Sequence, residues 1–334
     1  METRKLGNLT VSAIGMGCMG FSHGYGAVPE EDYAIHAIRS AHDYGCTLFD
    51  TAESYGTEMF FPGHNELLVG KAVEPFRKDI VLATKFHIEP QDALPDGDLY
   101  TDIRRHLEAS MEKLRTDYID LYYLHRMNDR VPAEAVAEVM DRLMKEGLIR
   151  AWGLSAVSTA TLDAAHKICP VSAVQSIYNI LERDCEADIF PYCMEHNIGV
   201  VPFSPVASGF LSGKVTTETK FEGDDVRKFV PQLSKENIIA NQPILEVISK
   251  YAKRHNAANA QISLAWMLHK YPNVVPIPGS KNYDRILENL GSWKISFNDA
   301  EFAELDAALD RCTVHGHRGH VESESSNFGK NWEK

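Results

Sequence analysis

No stretch of this chain is apolar over the roughly 18 residues that a bilayer-spanning helix requires. The first residues also lack the charged-then-apolar pattern of a secretory signal, so a soluble, cytoplasmic protein is expected. Positive charge is scarce: 34 Lys and Arg stand against 47 Asp and Glu, for a formal net charge of −13. Non-specific nucleic-acid binding and anionic-membrane binding both need a basic surface, so neither partner is expected. A small local basic pocket for a phosphate is still compatible with that balance. No two of the six cysteines (Cys18, Cys46, Cys169, Cys185, Cys193 and Cys312) form a CxxC pair. Several fall within apolar runs or helical patterns and read as small buried hydrophobes in a reducing compartment.

What the chain does have is a series of short apolar runs, each leading into one polar residue. Cys46 to Phe49 ends at Asp50, Ile80 to Thr84 at Lys85, and Ile119 to Leu124 at His125. Ala151 to Leu154 ends at Ser155, Val171 to Val174 at Gln175, Gly199 to Phe203 at Ser204, and Val274 to Pro278 leads into Gly279-Ser280. Runs of four to eight residues, apolar on both faces, read as strands buried in a parallel sheet. Helical patterns separate them, which gives successive βα units. The reading is a single α/β domain over residues 1–334, a (β/α)8 TIM barrel whose polar residues gather at the C-terminal strand ends, where such barrels build their active sites. At 44% hydrophobic residues the chain has ample core material.

Around this barrel, Thr3 to Leu6 and Leu9 to Val11 flank Gly7-Asn8 as a hairpin that caps the N-terminal mouth. Ser12 to Gly17 is the expected first strand. The loop Cys18 to Ala27 follows it and sets Met19, Phe21, His23 and Tyr25 among three glycines over the catalytic mouth. Helices are expected near 30–44, 65–73, 102–114, 133–146, from 158 or 159, 186–196, 238–254, 260–270 and 284–290. The long Gly-, Ser- and Thr-rich stretch from Val206 to Lys235 reads as a lid or clamp. The tail from about His315 is expected to be loosely ordered, with Phe328 and Trp332 able to dock. Its His315, His317 and His320 are more simply solvated than metal-bound, and no metal is expected.

Asp50, Tyr55, Lys85 and His125 combine into a chemistry. A lysine beside a tyrosine stabilises the phenolate and lowers its pKa from about 10. An aspartate keeps the ammonium in place, and a histidine can orient a carbonyl oxygen. Such a tyrosine can protonate a developing alkoxide while a hydride arrives from elsewhere. Each residue taken alone is as readily structural; together, at consecutive strand ends, they read as catalytic.

Longer motifs then carry a resemblance. Phe49-Asp50-Thr51-Ala52-Glu53-Ser54-Tyr55-Gly56, Asp117 to His125, Gly147 to Ser155, and Ile277-Pro278-Gly279-Ser280-Lys281 resemble the signatures of the aldo-keto reductase family, and the likeness runs from about residue 3 to 310. The resemblance implies NADPH/NADP+ bound in extended form, and the chain indeed lacks a GxGxxG after a strand. It implies that Ser155 and Gln175 hold the nicotinamide carboxamide and that Phe203 stacks on the ring. It further implies that the loop from Ser204 through Pro205 and Leu211 to Lys214 wraps the pyrophosphate. Ser280, Lys281 and Arg285 fall where the family grips the adenosine 2′-phosphate, with a Ser-Lys at a helix start offering N–H groups and charge to an anion; Gly279, Glu288 and Asn289 are implied as further cofactor-binding residues. Met19, His23 and Tyr25 are the candidate substrate-pocket residues. One departure stands out: Ala156 occupies a position where the family usually has Asn.

The expected function is NADPH-dependent reduction of aldehydes or ketones, with a small-molecule carbonyl substrate and Tyr55 as proton donor. The alternative is a cofactor-sensing regulatory subunit of the same fold with little turnover, since fold alone does not decide activity. A metal-dependent barrel hydrolase is excluded because the strand ends lack a cluster of His and carboxylate ligands. The sequence leaves oligomeric state and substrate identity open.

Overall fold

A computed structural model describes residues 1–89, 91–92, 97–128 and 130–319. The chain opens with an antiparallel hairpin, β1 (Thr3–Leu6) and β2 (Leu9–Ser12), turned at Gly7. Seven parallel strands follow in chain order around one sheet among the described residues: β3 (Met16–Gly17), β4 (Leu48–Asp50), β5 (Val81–Phe86), β6 (Ile119–Leu124), β7 (Ile149–Ser155), β8 (Ala173–Ile177) and β9 (Gly199–Phe203).

The eighth stave is the stretch 273–279. Val275 N–H donates to the Val200 carbonyl at 2.8 Å and Ile277 N–H to the Pro202 carbonyl at 3.1 Å, while Gly15 N–H donates to the Pro276 carbonyl at 2.9 Å. Single parallel bridges join Val200 to Val274 and Gly17 to Gly279. Pro276 and Pro278 have no N–H, so the ladder is interrupted and the run expected as a strand closes the barrel without forming a regular one. The architecture is a (β/α)8 barrel.

Side chains alternate across each strand, and this splits the core in two. Leu48, Val81, Ala83, Leu121, Tyr123, Ala151, Ala173, Val201, Val275 and Ile277 fill the barrel together with Leu6, Leu9 and Val11, so the hairpin plugs the barrel floor. Leu82, Phe86, Tyr122, Leu124, Trp152 and Val174 point outward into the helix layer. Tyr123 claims so much of the interior that Gly153 beside it has no room for a side chain: a Cβ there would lie 2.4 Å from the Tyr123 ring and 2.5 Å from the Ala173 carbonyl. The one acid within β6, Asp120, is fully buried and takes Arg77 at 2.6 Å, Arg150 at 2.9 Å and the Leu82 N–H at 3.0 Å.

The outer layer contains α1 (Glu31–Asp43), α2 (His64–Val73), α3 (Leu99–Leu114), α4 (Ala133–Lys145), α5 (Thr159–Ile168), α6 (Ile189–Glu195), α7 (Lys235–Ala240), α8 (Gln242–His255), α9 (Asn259–Lys270), α10 (Tyr283–Leu290) and α11 (Asp299–Asp310). Several differ from expectation for identifiable reasons. Asp98 caps α3 by accepting from Tyr100 N–H, which starts the helix three residues early. The expected helix 238–254 is two helices, broken at Asn241 with a proline in the first turn of the second. Helix α11 was not anticipated; it buries only Leu305 and Leu309, too few apolar positions for a periodic signal. The first barrel strand is shorter than 12–17 because Ser12 already belongs to the hairpin. Strand β8 lies slightly later than Val171 to Val174.

The stretch 206–235 contains short 3-10 turns at 207–212, 226–229 and 231–233. Where the tail begins, Asn241 pairs with the His315 backbone in both directions at 2.9 Å, and the His317 carbonyl accepts from Gln232 N–H. The tail from 320 on, with His320, Phe328 and Trp332, lies outside the described residues.

Candidate active site

The alternation that fills the barrel also builds the site. Leu48 then Asp50, Val81 and Ala83 then Lys85, Leu121 and Tyr123 then His125, and Ala173 then Gln175 each continue an inward-facing series beyond the apolar core. The four residues expected to act together do meet. Lys85, fully buried, directs its ammonium to three oxygens: Asp50 Oδ1 at 2.5 Å, the Thr51 carbonyl at 2.7 Å and the Tyr55 hydroxyl at 3.2 Å. An ammonium has three N–H groups, so its donors are all used. Gln175 Nε2 donates to the second Asp50 oxygen at 2.8 Å. The Tyr55 ring lies 5.8 Å from that of His125, edge-on, and 5.4 Å from that of His23. Tyr55 is tied to the start of α2: its carbonyl accepts from Asn65 N–H, and Gly56 turns the chain at φ +108°.

Burial raises the Tyr55 phenol above its ordinary value; the Lys85 ammonium opposes this without reversing it. The lowered phenol expected from the sequence is therefore corrected: desolvation outweighs the neighbouring charge. Burial works against the Lys85 ammonium too, but Asp50 and Tyr55 together outweigh it and the net shift is upward. Burial raises Asp50, with Lys85 and Gln175 pulling the other way. Burial, then the charges of Lys85 and Arg126, push His125 well below its usual value, so its imidazole is neutral. Its Nδ1 is buried without a hydrogen-bond partner.

Of the three pocket candidates, only His23 reaches Tyr55, and Glu58 holds its Nδ1 at 2.9 Å. Tyr25 instead lies under the Arg227 guanidinium, 5.3 Å from its ring centre, and Met19 sits against Gly24. Two neighbours were missed. His87 packs 4.4 Å from His125, and it is simply the next inward position after Lys85. Arg126 donates to Ser155 Oγ at 3.0 Å.

The residues expected around the cofactor line the rest of the mouth. Ser155 and Gln175 are buried and adjacent in register, and Phe203 ends β9 half-buried. Ser204, Ala207, Ser208, Gly209 and Gly213 all have positive φ, so the loop after β9 is tightly coiled. Within it Pro205 and Leu211 are buried and Lys214 is exposed. Ser208 Oγ is buried with no partner. Ser204 receives Asn179 Nδ2 on its carbonyl at 3.0 Å and Arg318 Nε on its hydroxyl at 3.3 Å. Arg318 comes from the tail, and no pattern in the sequence points to it. Gly279 bridges to Gly17; Ser280 Oγ accepts from Asn282 N–H, and Asn282, not Ser280, caps α10. Lys281 Nζ donates to the Tyr25 and Ala27 carbonyls, both at 2.6 Å, while Arg285 is exposed, Glu288 half-buried and Asn289 buried. Among the described residues no group of three or more His, Cys, Asp or Glu could hold a metal ion.

The model of the Aldo/keto reductase family matches residues 13–310. This chain belongs to the aldo/keto reductase family. It is 37% identical over 312 residues to a probable aldo-keto reductase from Glycine max, covering 92% of this chain and 88% of that one. It is 36% identical over 327 residues to an NADP(+) aldo-keto reductase from Schizosaccharomyces pombe, covering 95% and 94%. Among solved structures, the glycerol dehydrogenase of Gluconobacter oxydans superposes with a TM-score of 0.81 at 27% identity, covering 96% of this chain and 98% of that one. An aldo/keto reductase of Klebsiella pneumoniae in complex with NADP and acetate gives 0.70 at 27%, covering 93% and 96%.

Against the usual aldo-keto reductase pattern, Ala156 is informative. Its φ is +57° and its N–H donates to the Gln175 carbonyl at 2.9 Å. Left-handed backbone costs an ordinary L-residue roughly 1–2 kcal/mol, and Asn tolerates it better. Ala156→Asn is therefore expected to stabilise the fold by about 0.5–1 kcal/mol, read as a higher urea midpoint at unchanged slope. A lower midpoint would mean that the neighbours of Ala156 leave no room for the amide.

Proposed function

We propose that this chain is an NADPH-dependent reductase of aldehydes and ketones in which Tyr55 donates the proton. The observation that carries the reading is the Lys85 ammonium, closed off from water and divided between Asp50 and the Tyr55 hydroxyl.

The residues present fit the cofactor. The loop after β9 holds a buried, unpartnered Ser208 hydroxyl. Arg227 and Lys281 converge on Tyr25 from separate loops and bring two cations together in an acidic protein. Ser155, Gln175 and Phe203 would hold the nicotinamide end, and the loop Ser204 to Lys214 with Lys281 and Arg285 the phosphates. When bound, NADPH supplies the hydride to the carbonyl carbon.

The chain's own residues handle the oxygen. The neutral His125 has one N–H with which to orient the carbonyl. Tyr55 gives its proton to the oxygen as negative charge develops there, and Lys85 stabilises the phenolate left behind. Asp50 and Gln175 keep that ammonium in place.

The pH dependence follows from the shifts. Tyr55 must be protonated to act, and burial raises its phenol, so kcat for reduction should stay level across neutrality and fall only above the ordinary phenol value of 10.0. Because His125 is shifted down, no loss of activity should appear as pH falls through 6.5. A kcat–pH profile with a single alkaline limb, absent from any residual rate of Tyr55→Phe, is the expected result. An acidic limb near the ordinary histidine value would contradict the role given to His125.

A further inference from the structure

Behind Tyr55 and Lys85 lies a polar chain that the proposed chemistry does not use. Helix α3 sends His106, 8% exposed, between two carboxylates. Its Nδ1 lies 2.8 Å from Glu53 Oε2 and its Nε2 2.8 Å from Asp92 Oδ2. Carboxylates only accept, so both contacts are hydrogen bonds only when both ring nitrogens carry protons.

Each carboxylate is anchored further. Glu53 Oε1 accepts the His87 N–H at 2.7 Å, and Glu53 N–H donates to the Lys85 carbonyl at 3.0 Å. Asp92 accepts from Glu89 N–H at 2.8 Å and from Arg105. Glu53 stands two residues before Tyr55, and the His87 ring rests on that of His125. One side chain on the helix layer thus connects the tyrosine loop, the strand end that bears Lys85 and the ring beside His125.

We infer that His106 is a positioning residue: as an imidazolium it staples Glu53 to Asp92 and so fixes His87, Ile88 and Glu89 as a wall of the carbonyl pocket. This rests on the reductase reading above. Burial disfavours the charged ring, but Glu53 and Asp92 outweigh burial and its pKa is raised above 6.5. Among the described residues, the other groups facing this pair are Arg105 on Asp92, the His87 imidazole on Glu53, and Arg130, which donates to the Asp92 and Glu89 carbonyls. Glu66 and the Tyr122 phenol lie on the Glu53 side, and the Phe86 ring is 6.1 Å from His106. When His106 loses its proton, Asp92 keeps Arg105 but Glu53 loses its cation. The staple is therefore present below the folded pKa of His106 and is lost as pH rises through it.

The test is His106→Gln, with KM for a carbonyl substrate and Kd for NADPH followed from about pH 6 to about pH 9. In the wild type KM should rise about tenfold across the transition, the scale of one charge-assisted hydrogen bond, while Kd holds. In the variant KM should be flat and equal to the wild-type alkaline limit. A variant that keeps the wild-type pH dependence, or keeps the low wild-type KM, overturns the inference.

Hydrogen exchange at the His87 amide, corrected for the intrinsic rate, gives a readout independent of turnover. Protection should fall through the same pH range in the wild type and not in the variant. If no carbonyl is turned over but this exchange transition appears, the reductase reading fails and the staple stands. If turnover is normal and protection at His87 does not change with pH, the staple fails and the reductase reading stands. Should His106→Gln not fold, Asp92→Asn serves instead: it removes one acceptor charge and should move both transitions to lower pH, and unchanged transitions would overturn the staple.

Discussion

Tyr55→Phe should lower carbonyl reduction by about 10²–10⁴-fold, the usual contribution of a positioned general acid. The phenyl ring keeps the packing between His23 and His125, whose centroids lie 5.4 and 5.8 Å from that of Tyr55. Only the hydroxyl that meets Lys85 at 3.2 Å is removed. NADPH affinity should change little, because the residues proposed to hold the cofactor, Ser155, Phe203 and the loop after β9, do not depend on that oxygen. The decisive comparison is kcat from steady-state NADPH oxidation beside Kd from fluorescence titration. A variant that loses binding as well would place Tyr55 in the cofactor site rather than in proton transfer.

Lys85→Met should be damaging in two ways at once. Lys85 is fully exchanged from water for Asp50, Thr51 and Tyr55, and Asp50 itself is 3% exposed. Removing one partner of a buried pair strands the other, at a cost of about 3–5 kcal/mol. Turnover should also collapse, since the phenolate left after proton transfer has lost its cation.

The stability loss has a pH signature. Without Lys85, the Gln175 hydrogen bond is left to oppose burial at Asp50, and its folded pKa rises further above the unfolded value. The folded variant then keeps a proton that the unfolded chain releases, so the loss is largest near neutrality and shrinks as pH falls toward about 4. Urea unfolding of both proteins at neutral and at mildly acidic pH measures this directly. A deficit independent of pH would mean that packing, not the stranded carboxylate, sets the cost.

The strand ends were legible because parallel strands buried on both faces give unbroken apolar runs, and the first polar residue after each run marks the mouth. That reading located Asp50, Lys85, His125, Ser155, Gln175 and Ser204. The same logic extended by two positions reaches His87, which was overlooked only because it lies past the end of the run. Other features carry no such signal. Glu53, Asp92 and His106 share no period, and folding alone brings them together. Arg318 touches Ser204 across 114 positions of sequence. The eighth stave looked like a strand because apolarity is visible in a sequence while the hydrogen bonds denied by Pro276 and Pro278 are not. The direction of the Tyr55 shift was misjudged for a related reason: the nearby charge could be inferred from residue types, but the depth of burial could not. The left-handed backbone at Ala156 was also hidden, although the absence of the expected Asn marked the position.

The central claim is that this pocket reduces carbonyls with NADPH. Binding and turnover measured on one wild-type preparation test it most directly: NADPH quenching of protein fluorescence, then NADPH oxidation on adding each of a panel of aldehydes and ketones. Saturable binding followed by carbonyl-dependent oxidation is the predicted result. Saturable binding with no oxidation by any carbonyl in the panel would contradict it and would favour a cofactor-sensing subunit.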